Sequence, residues 1–287
     1  MRLAEAQTLV QSLETKLNMF RTMIIDGTGI HEVSDREITE KFLSLRQQAQ
    51  QIAHCKAYQV DKEIVLPSNP SEEADDFYNL WRTKLSAKDL TSRLRGKVFE
   101  LLNRAILGQR CFGLVEVDDQ FEKLLRNFET KIEAAPNIKN DVVATWRITT
   151  LTCIDLLGVD EATSKRCAEE MSSFFLPLVE HRRRRKGQQP EDMITKLCSD
   201  AFSLRMMMRK SKGGYRCEVP GLDGTALVSE LRDLVDVHAV ENGRPDESSD
   251  EIAYCLFGAL TKHQEHLGEN KIVLEKAHVV VKSRRRV

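Results

Sequence analysis

The sequence lacks an apolar run long enough to cross a bilayer, which needs roughly 18 to 20 consecutive apolar residues. It also lacks the uninterrupted apolar stretch of a secretion signal, because polar and charged side chains recur through the N-terminal segment. The 287 residues are 41% hydrophobic and 30% charged, a composition that can bury a sizeable core. We therefore expect an intracellular protein without a membrane span, either nuclear or cytoplasmic.

The seven cysteines lack the arrangement of a disulfide framework or of a zinc site. Their number is odd, they are widely scattered, and a chain of this length does not need covalent cross-links to fold. Several fall on apolar faces of predicted helices, where cysteine behaves as a small hydrophobic residue. We expect all seven to be structural thiols, and we predict no cofactor.

The signatures of common catalytic and cofactor sites are also missing. The glycines at 27–29 lack the third glycine of a dinucleotide site, and those at 108–113 are not followed by the lysine of a phosphate loop. No serine lies in a Gly-x-Ser-x-Gly elbow. His263 and His266 lack a third ligand at a known interval, so a polar turn is the favoured interpretation. The sequence therefore predicts no catalytic, cofactor-binding or metal-binding residue.

The N-terminal segment carries the most regular pattern in the chain. Its apolar residues are spaced alternately three and four apart, a repeat of about 3.5 residues that keeps an apolar seam facing a partner helix. The seam consists of Leu3, Ala6, Val10, Leu13, Leu17, Phe20 and Ile24. A glycine break at 27–29 follows, so we expect residues 1–27 to form a short coiled-coil helix that is separable from the body.

The partner of this seam stays open. In a parallel homodimer, Lys16 would face Arg21 of the other copy, a like-charge contact that opposes that arrangement. An antiparallel pair, a different partner helix and packing against the protein's own body are the remaining possibilities.

Cations are concentrated in one internal run and in the tail at 282–286. The internal run consists of Arg182, Arg183, Arg184, Arg185 and Lys186. It has the chemistry to attract an import receptor, nucleic acid or an acidic lipid surface, and its plainer interpretation is a solvated helix end stopped by Gly187. We expect the run to be exposed, because five adjacent unpaired cations are costly to desolvate. A helical hairpin on either side of it would add further cations, namely Arg205, Arg209, Lys210 and Lys212.

Capping and turn signals divide residues 31–287 into successive helices. Ser34 and Ser86 are each followed three positions later by an acidic residue, which is typical of a helix start. Pro177 is expected to kink or end a helix, and Pro190 suits the first turn of the next. We expect the core to be built around one large residue from each of five helices: Trp81, Leu101, Phe128, Trp146 and Phe175.

The pattern changes after residue 213. Residues 215–219 alternate like a short strand, residues 225–240 look helical, and 252–260 and 272–281 are apolar runs capable of forming strands. The predicted fold is a mostly α, multi-helix globular domain with a projecting N-terminal helix and a minor C-terminal β element. In this prediction residues 213–287 form a mixed α/β part of the domain.

The order of these features resembles a group of helical proteins from filamentous fungi. The resemblance lies in the heptad-rich N-terminus, the Ser-Asp-x-x-Ile start at 34–38 and the Leu-x-Lys-Ala-x-Val-Val run at 274–280. It implies an architecture, and it implies neither an activity nor site residues.

Three functional hypotheses follow from the sequence. A non-catalytic interaction or scaffold protein, pairing with a protein partner or with itself through the N-terminal helix, accounts for the seam and for the missing signatures. The alternatives are a nuclear protein that contacts nucleic acid through its arginine-rich runs, and an enzyme of an unrecognised family. Rising salt separates the first two, because phosphate contacts weaken steeply with salt and apolar pairing does not.

Overall fold

The computed structural model describes residues 33–58, 71–82, 85–114, 119–157, 161–179, 189–221, 228–241, 251–263 and 271–282. Within these ranges seven α-helices come first: α1 (Asp35–Ala53), α2 (Glu72–Arg82), α3 (Ala87–Leu102), α4 (Asp119–Glu133), α5 (Asn140–Leu157), α6 (Ala162–Phe175) and α7 (Pro190–Arg209). Six strands follow: β1 (Gly214–Glu218), β2 (Val235–Glu241), β3 (Glu251–Phe257), β4 (Ala259–His263), β5 (Lys271–Glu275) and β6 (Ala277–Lys282). The prediction of a mostly α fold with a C-terminal β element is confirmed.

The predicted helix boundaries are confirmed at four places. The Ser34 and Ser86 hydroxyl groups each accept a hydrogen bond of 3.2 Å from the backbone N–H three residues later, which satisfies an otherwise unpaired donor. Pro177 lies in the 3₁₀ turn that follows α6, and Pro190 occupies the first position of α7. A π-helical turn at Asn103–Leu107 extends the end of α3.

The main core lies among α1, α3, α6 and α7, and it confirms only part of the predicted core. Leu101 and Phe175 are buried, whereas Trp146 is half-buried. The prediction for Phe128 is wrong, because its ring lies on the surface. The side chain of Trp81 lies outside the described residues.

The strands form two three-stranded sheets, ordered β1–β4–β5 and β2–β6–β3. All neighbours are antiparallel except β2 and β6, which run parallel. The strand predictions for 215–219, 252–260 and 272–281 are confirmed in outline.

The helix predicted at 225–240 is wrong, because the described part of that range contains a 3₁₀ turn at Val228–Glu230 and then β2. Pairing with β6 supplies that segment with backbone partners and outweighs its helical periodicity.

Gly258 lets the chain pass directly from one sheet into the other, since it alone separates β3 from β4. A Cβ atom at this position would lie 2.8 Å from both the Glu218 carbonyl oxygen and the Phe99 ring. The ring of Phe257, next to this corner, packs against Phe42 at 5.1 Å and Phe99 at 4.7 Å between centroids. The sheets are therefore joined to the helical core through aromatic contacts.

A buried basic cluster also joins β6 to the helices. Arg46 of α1 donates to the Lys276 carbonyl oxygen at 2.8 Å, and its guanidinium lies 3.3 Å from the His278 ring. Arg95 of α3 contacts the other nitrogen of the same ring at 3.3 Å. Burial, together with both neighbouring guanidinium groups, lowers the pKa of His278 to about 4. His278 is therefore neutral near pH 7.

Candidate functional site

Both sites predicted from the sequence lie outside the described residues, namely the apolar seam within 3–24 and the basic run at 182–186. The cations that were expected to enlarge the basic surface all lie within the described residues 189–221. Arg205 and Arg209 are buried, where they donate to the Gln109 carbonyl oxygen at 2.6 Å and to Glu129 at 2.8 Å. The expectation is wrong for these two arginines, because interior acceptors hold them away from solvent.

The described surface offers a different site on α4, whose apolar side faces outward. Phe121, Leu124 and Phe128 are 46%, 61% and 45% exposed. Glu122 and Glu129 of the same helix are 0% and 1% exposed. A helix on the surface of a globular protein normally shows the opposite orientation, with its apolar stripe against the core. Of this helix, the sequence predicted Phe128 inside, and that prediction is wrong, whereas its neighbour Leu125 is buried.

Glu122 faces inward because it satisfies an irregular piece of buried backbone. Its two carboxylate oxygens accept hydrogen bonds from the backbone N–H groups of Phe112 at 2.8 Å and Leu114 at 3.1 Å. Arg126, one turn further along α4, donates to the same carboxylate at 2.9 Å. Buried backbone donors that have no helix or strand partner need such an acceptor, so this carboxylate fixes the rotation of α4.

Glu129 lies on the same inward side of α4 and pairs with two arginines. Its carboxylate lies 2.8 Å from the Arg209 guanidinium of α7 and 3.7 Å from that of Arg147 on α5. Arg147 also donates to the Arg209 carbonyl oxygen at 3.0 Å, at the end of α7. The Arg209 guanidinium lies over the Phe112 ring at 4.6 Å from the centroid. The charged side of α4 is thus fixed inside by contacts with two neighbouring helices.

Helix α5 extends the outward surface. The Phe128 ring packs edge-on against Trp146, with 5.2 Å between centroids. Val142, one helical turn before Trp146, is 55% exposed. We call Phe121, Leu124, Phe128 and Val142 the α4–α5 apolar face. Contiguous exposed apolar side chains are typical of a surface that binds another protein.

A cavity of about 640 Å³ lies between α2, α3 and the sheet edge at β3. Three charged side chains in its wall pair with one another, since Glu73 lies 2.6 Å from Lys97 and 2.9 Å from Arg104. Burial raises the pKa of the Cys255 thiol in its wall to about 12, so this group stays protonated at neutral pH. These pairs give the cavity wall a structural role, and the thiol is not an activated nucleophile.

The histidines and cysteines are the side chains most suited to bind a transition metal. His263 lies 3.2 Å from the Glu218 carboxylate, and His266 is outside the described residues. All seven cysteines are free thiols. Across the described ranges, no group of three or more histidine, cysteine, aspartate or glutamate side chains is arranged to hold a metal ion. In the same ranges, no helix combines the length and apolarity that a membrane span requires.

Comparison with known proteins found no matching family model, no matching curated protein and no matching solved structure.

Proposed function

We propose that this protein is a non-catalytic interaction protein that binds an amphipathic helix of another protein through its α4–α5 apolar face. The observation that supports the proposal is the orientation of α4, which buries Glu122 and Glu129 while Leu124 and Phe128 face outward. The N-terminal seam at 3–24 is a second element with pairing chemistry, and it stays a prediction from the sequence.

The spacing of the exposed residues suits helix recognition. Phe121, Leu124 and Phe128 stand at positions i, i+3 and i+7 of one helix, the anchor spacing used when a helix packs into an apolar groove. Aromatic side chains contribute much of the binding energy at protein interfaces, and two of these three are phenylalanines. Trp146 supports Phe128 from beneath, so part of this surface is ordered before a partner binds.

Cross-linking in the native cell tests the proposal. Lys123 and Lys131 flank the apolar face and provide primary amines for a lysine-reactive reagent. We expect a partner that is retained in high salt and is cross-linked to one of these lysines. The substitution Leu124→Glu should abolish its recovery, because a carboxylate in an apolar contact is costly to desolvate.

A matched control uses Leu43→Glu on α1, since Leu43 is also an exposed leucine, at 38%. Recovery of the same partner with this control and its loss with Leu124→Glu would support the proposal. Equal recovery with both variants, or a partner that dissociates as salt rises, would contradict it and favour the basic runs as the binding element.

A further inference from the structure

We propose that Cys167, Met171 and Cys198 form a binding site for one copper(I) ion between α6 and α7. The three residues lie apart from the α4–α5 apolar face, so the inference goes beyond the function proposed above. From the sequence, the two cysteines were expected to be structural thiols. Three observations support a metal site instead: the distances between the sulfur atoms, the way the helices hold them, and the chemistry of the donors.

The three sulfur atoms lie at the corners of a nearly equilateral triangle. The Cys198 sulfur is 3.5 Å from the Cys167 sulfur and 3.6 Å from the Met171 sulfur, and the latter two are 3.8 Å apart. The point equidistant from all three is about 2.1 Å from each. A zinc–thiolate bond is about 2.3 Å, so a metal of similar size fits in the plane once the sulfurs separate by about 0.3 Å.

Helix packing fixes this arrangement. Cys167 and Met171 are four residues apart on α6, so their side chains lie on the same face of that helix. Cys198 projects from α7, which packs against this face. All three side chains are 2% exposed or less. Donors held on two packed helices keep their geometry better than donors on loops, as a preformed metal site requires.

The donor set favours copper(I) over other metals. Thiolate and thioether sulfurs are soft donors, which select copper(I), whereas copper(II) prefers a tetragonal set of nitrogen and oxygen donors. Structural zinc sites almost always have four ligands, drawn from thiolates, imidazoles and carboxylates. A triangle of two thiols and one thioether therefore matches copper(I) best.

Binding exchanges protons for the metal. In the free protein, contact with Cys167 and burial raise the pKa of the Cys198 thiol, which is protonated at neutral pH. A thiol that coordinates a metal loses its proton. One copper(I) ion and two thiols thus give a complex with one negative charge and two released protons, while the Met171 sulfur donates a lone pair. No electron is transferred, and the affinity for copper(I) should rise with pH.

Competition with a chromophoric chelator tests the site. The full-length protein is titrated with copper(I) and bicinchoninate without oxygen. A parallel sample is refolded from urea with copper(I), because the buried sulfurs become accessible only when α6 and α7 separate locally. We expect one equivalent of copper(I) to be withheld from the chelator. X-ray absorption at the copper edge should show three sulfur neighbours at about 2.3 Å.

Single substitutions identify the ligands. Cys198→Ser should lose the tightly bound equivalent, because it removes a thiolate. Met171→Leu keeps the volume of the side chain and should weaken the affinity about tenfold or more, because only the sulfur donor is lost. Two controls remove sulfur atoms elsewhere and should leave the affinity unchanged: Cys153→Ser on α5, a half-buried thiol, and Met208→Leu on α7, a buried thioether.

Three results would overturn the inference. The first is transfer of all the copper to the chelator from both samples of the parent protein. The second is equal retention by Cys198→Ser and Cys153→Ser, which would place the copper on other thiols. The third is an unchanged affinity in Met171→Leu. Circular dichroism checks that each variant is folded, and if Cys198→Ser is not, the absorption spectra of the parent and of Met171→Leu decide whether the thioether is a ligand.

Discussion

Helices α4 and α7 meet at the ion pair between Glu129 and Arg209, yet they turn different kinds of side chain toward the interior. Helix α7 buries Leu197 and Phe202, and its outer positions carry charge, as in most globular proteins. Helix α4 buries two carboxylates and leaves its largest apolar residues outside. The difference shows that the apolar side of a surface helix need not face the core of its own domain.

Breaking the ion pair should have the largest effect on stability. Glu129→Ala leaves the buried Arg209 guanidinium without its nearest carboxylate, and removal of one partner of a buried pair costs about 3 to 5 kcal/mol. The measurement is the free energy of unfolding from urea denaturation. The control is Glu133→Ala. Glu133 is also on α4, but its ion pair with Arg110 is partly exposed to solvent, so its loss should cost about 1 kcal/mol or less. Equal losses in the two variants would show that Glu129 does not fix the orientation of α4.

A second test compares leucines on the two helices. Leu197→Ala in α7 should cost about 2 to 5 kcal/mol, because it opens a cavity in a fully buried region. Leu124→Ala in α4 should change the free energy of unfolding by less than about 1 kcal/mol, because the side chain has few interior neighbours to lose. Similar losses at both positions would mean that the outer side of α4 contributes to the core.

Most of the helical fold could be predicted from the sequence because its signals are local. A serine before a helix satisfies donors a few residues away, and a proline ends or begins a helix by its own geometry, so Ser34, Ser86, Pro177 and Pro190 could be interpreted without tertiary information. Strand β2 could not, because its stability depends on a parallel partner about 40 residues later in the chain.

The candidate site could not be predicted because periodicity defines two sides of a helix without saying which one is buried. From the sequence, Phe128 was predicted to lie inside, since large apolar residues usually face a core. The opposite result depends on Phe112 and Leu114, whose backbone N–H groups need a carboxylate from α4. Only the folded chain brings these groups together, so the pattern of α4 alone did not identify its outward face.

The buried basic cluster around His278 extends the comparison, because its two guanidinium groups, Arg46 and Arg95, differ in sign from the carboxylates buried on α4. Unfolded His278 takes up a proton near its ordinary pKa of 6.5, whereas in the folded protein the pKa is about 4. Lowering the pH from 6.5 to 4 therefore favours the unfolded chain, and the stability lost is at most about 3 kcal/mol. His278→Gln should flatten the dependence of the unfolding free energy on pH over this interval. The exposed His54→Gln is the control, and an unchanged slope in His278→Gln would assign the acid response to other groups.

The smallest expected effect comes from placing a charge on the outward face itself. Leu124→Glu should lower the free energy of unfolding by about 1 kcal/mol or less, because a carboxylate at an exposed position stays hydrated. Its neighbour Leu125 is buried, and Leu125→Glu should lower the same quantity by several kcal/mol, because an unpaired carboxylate is forced among apolar side chains. Urea denaturation followed by tryptophan fluorescence compares the two variants, since Trp81 and Trp146 both lie outside the N-terminal segment. Adjacent residues that respond so differently would show that α4 is held in one rotation about its axis. A large loss at Leu124 and a small one at Leu125 would mean that the apolar side of α4 belongs to the core after all.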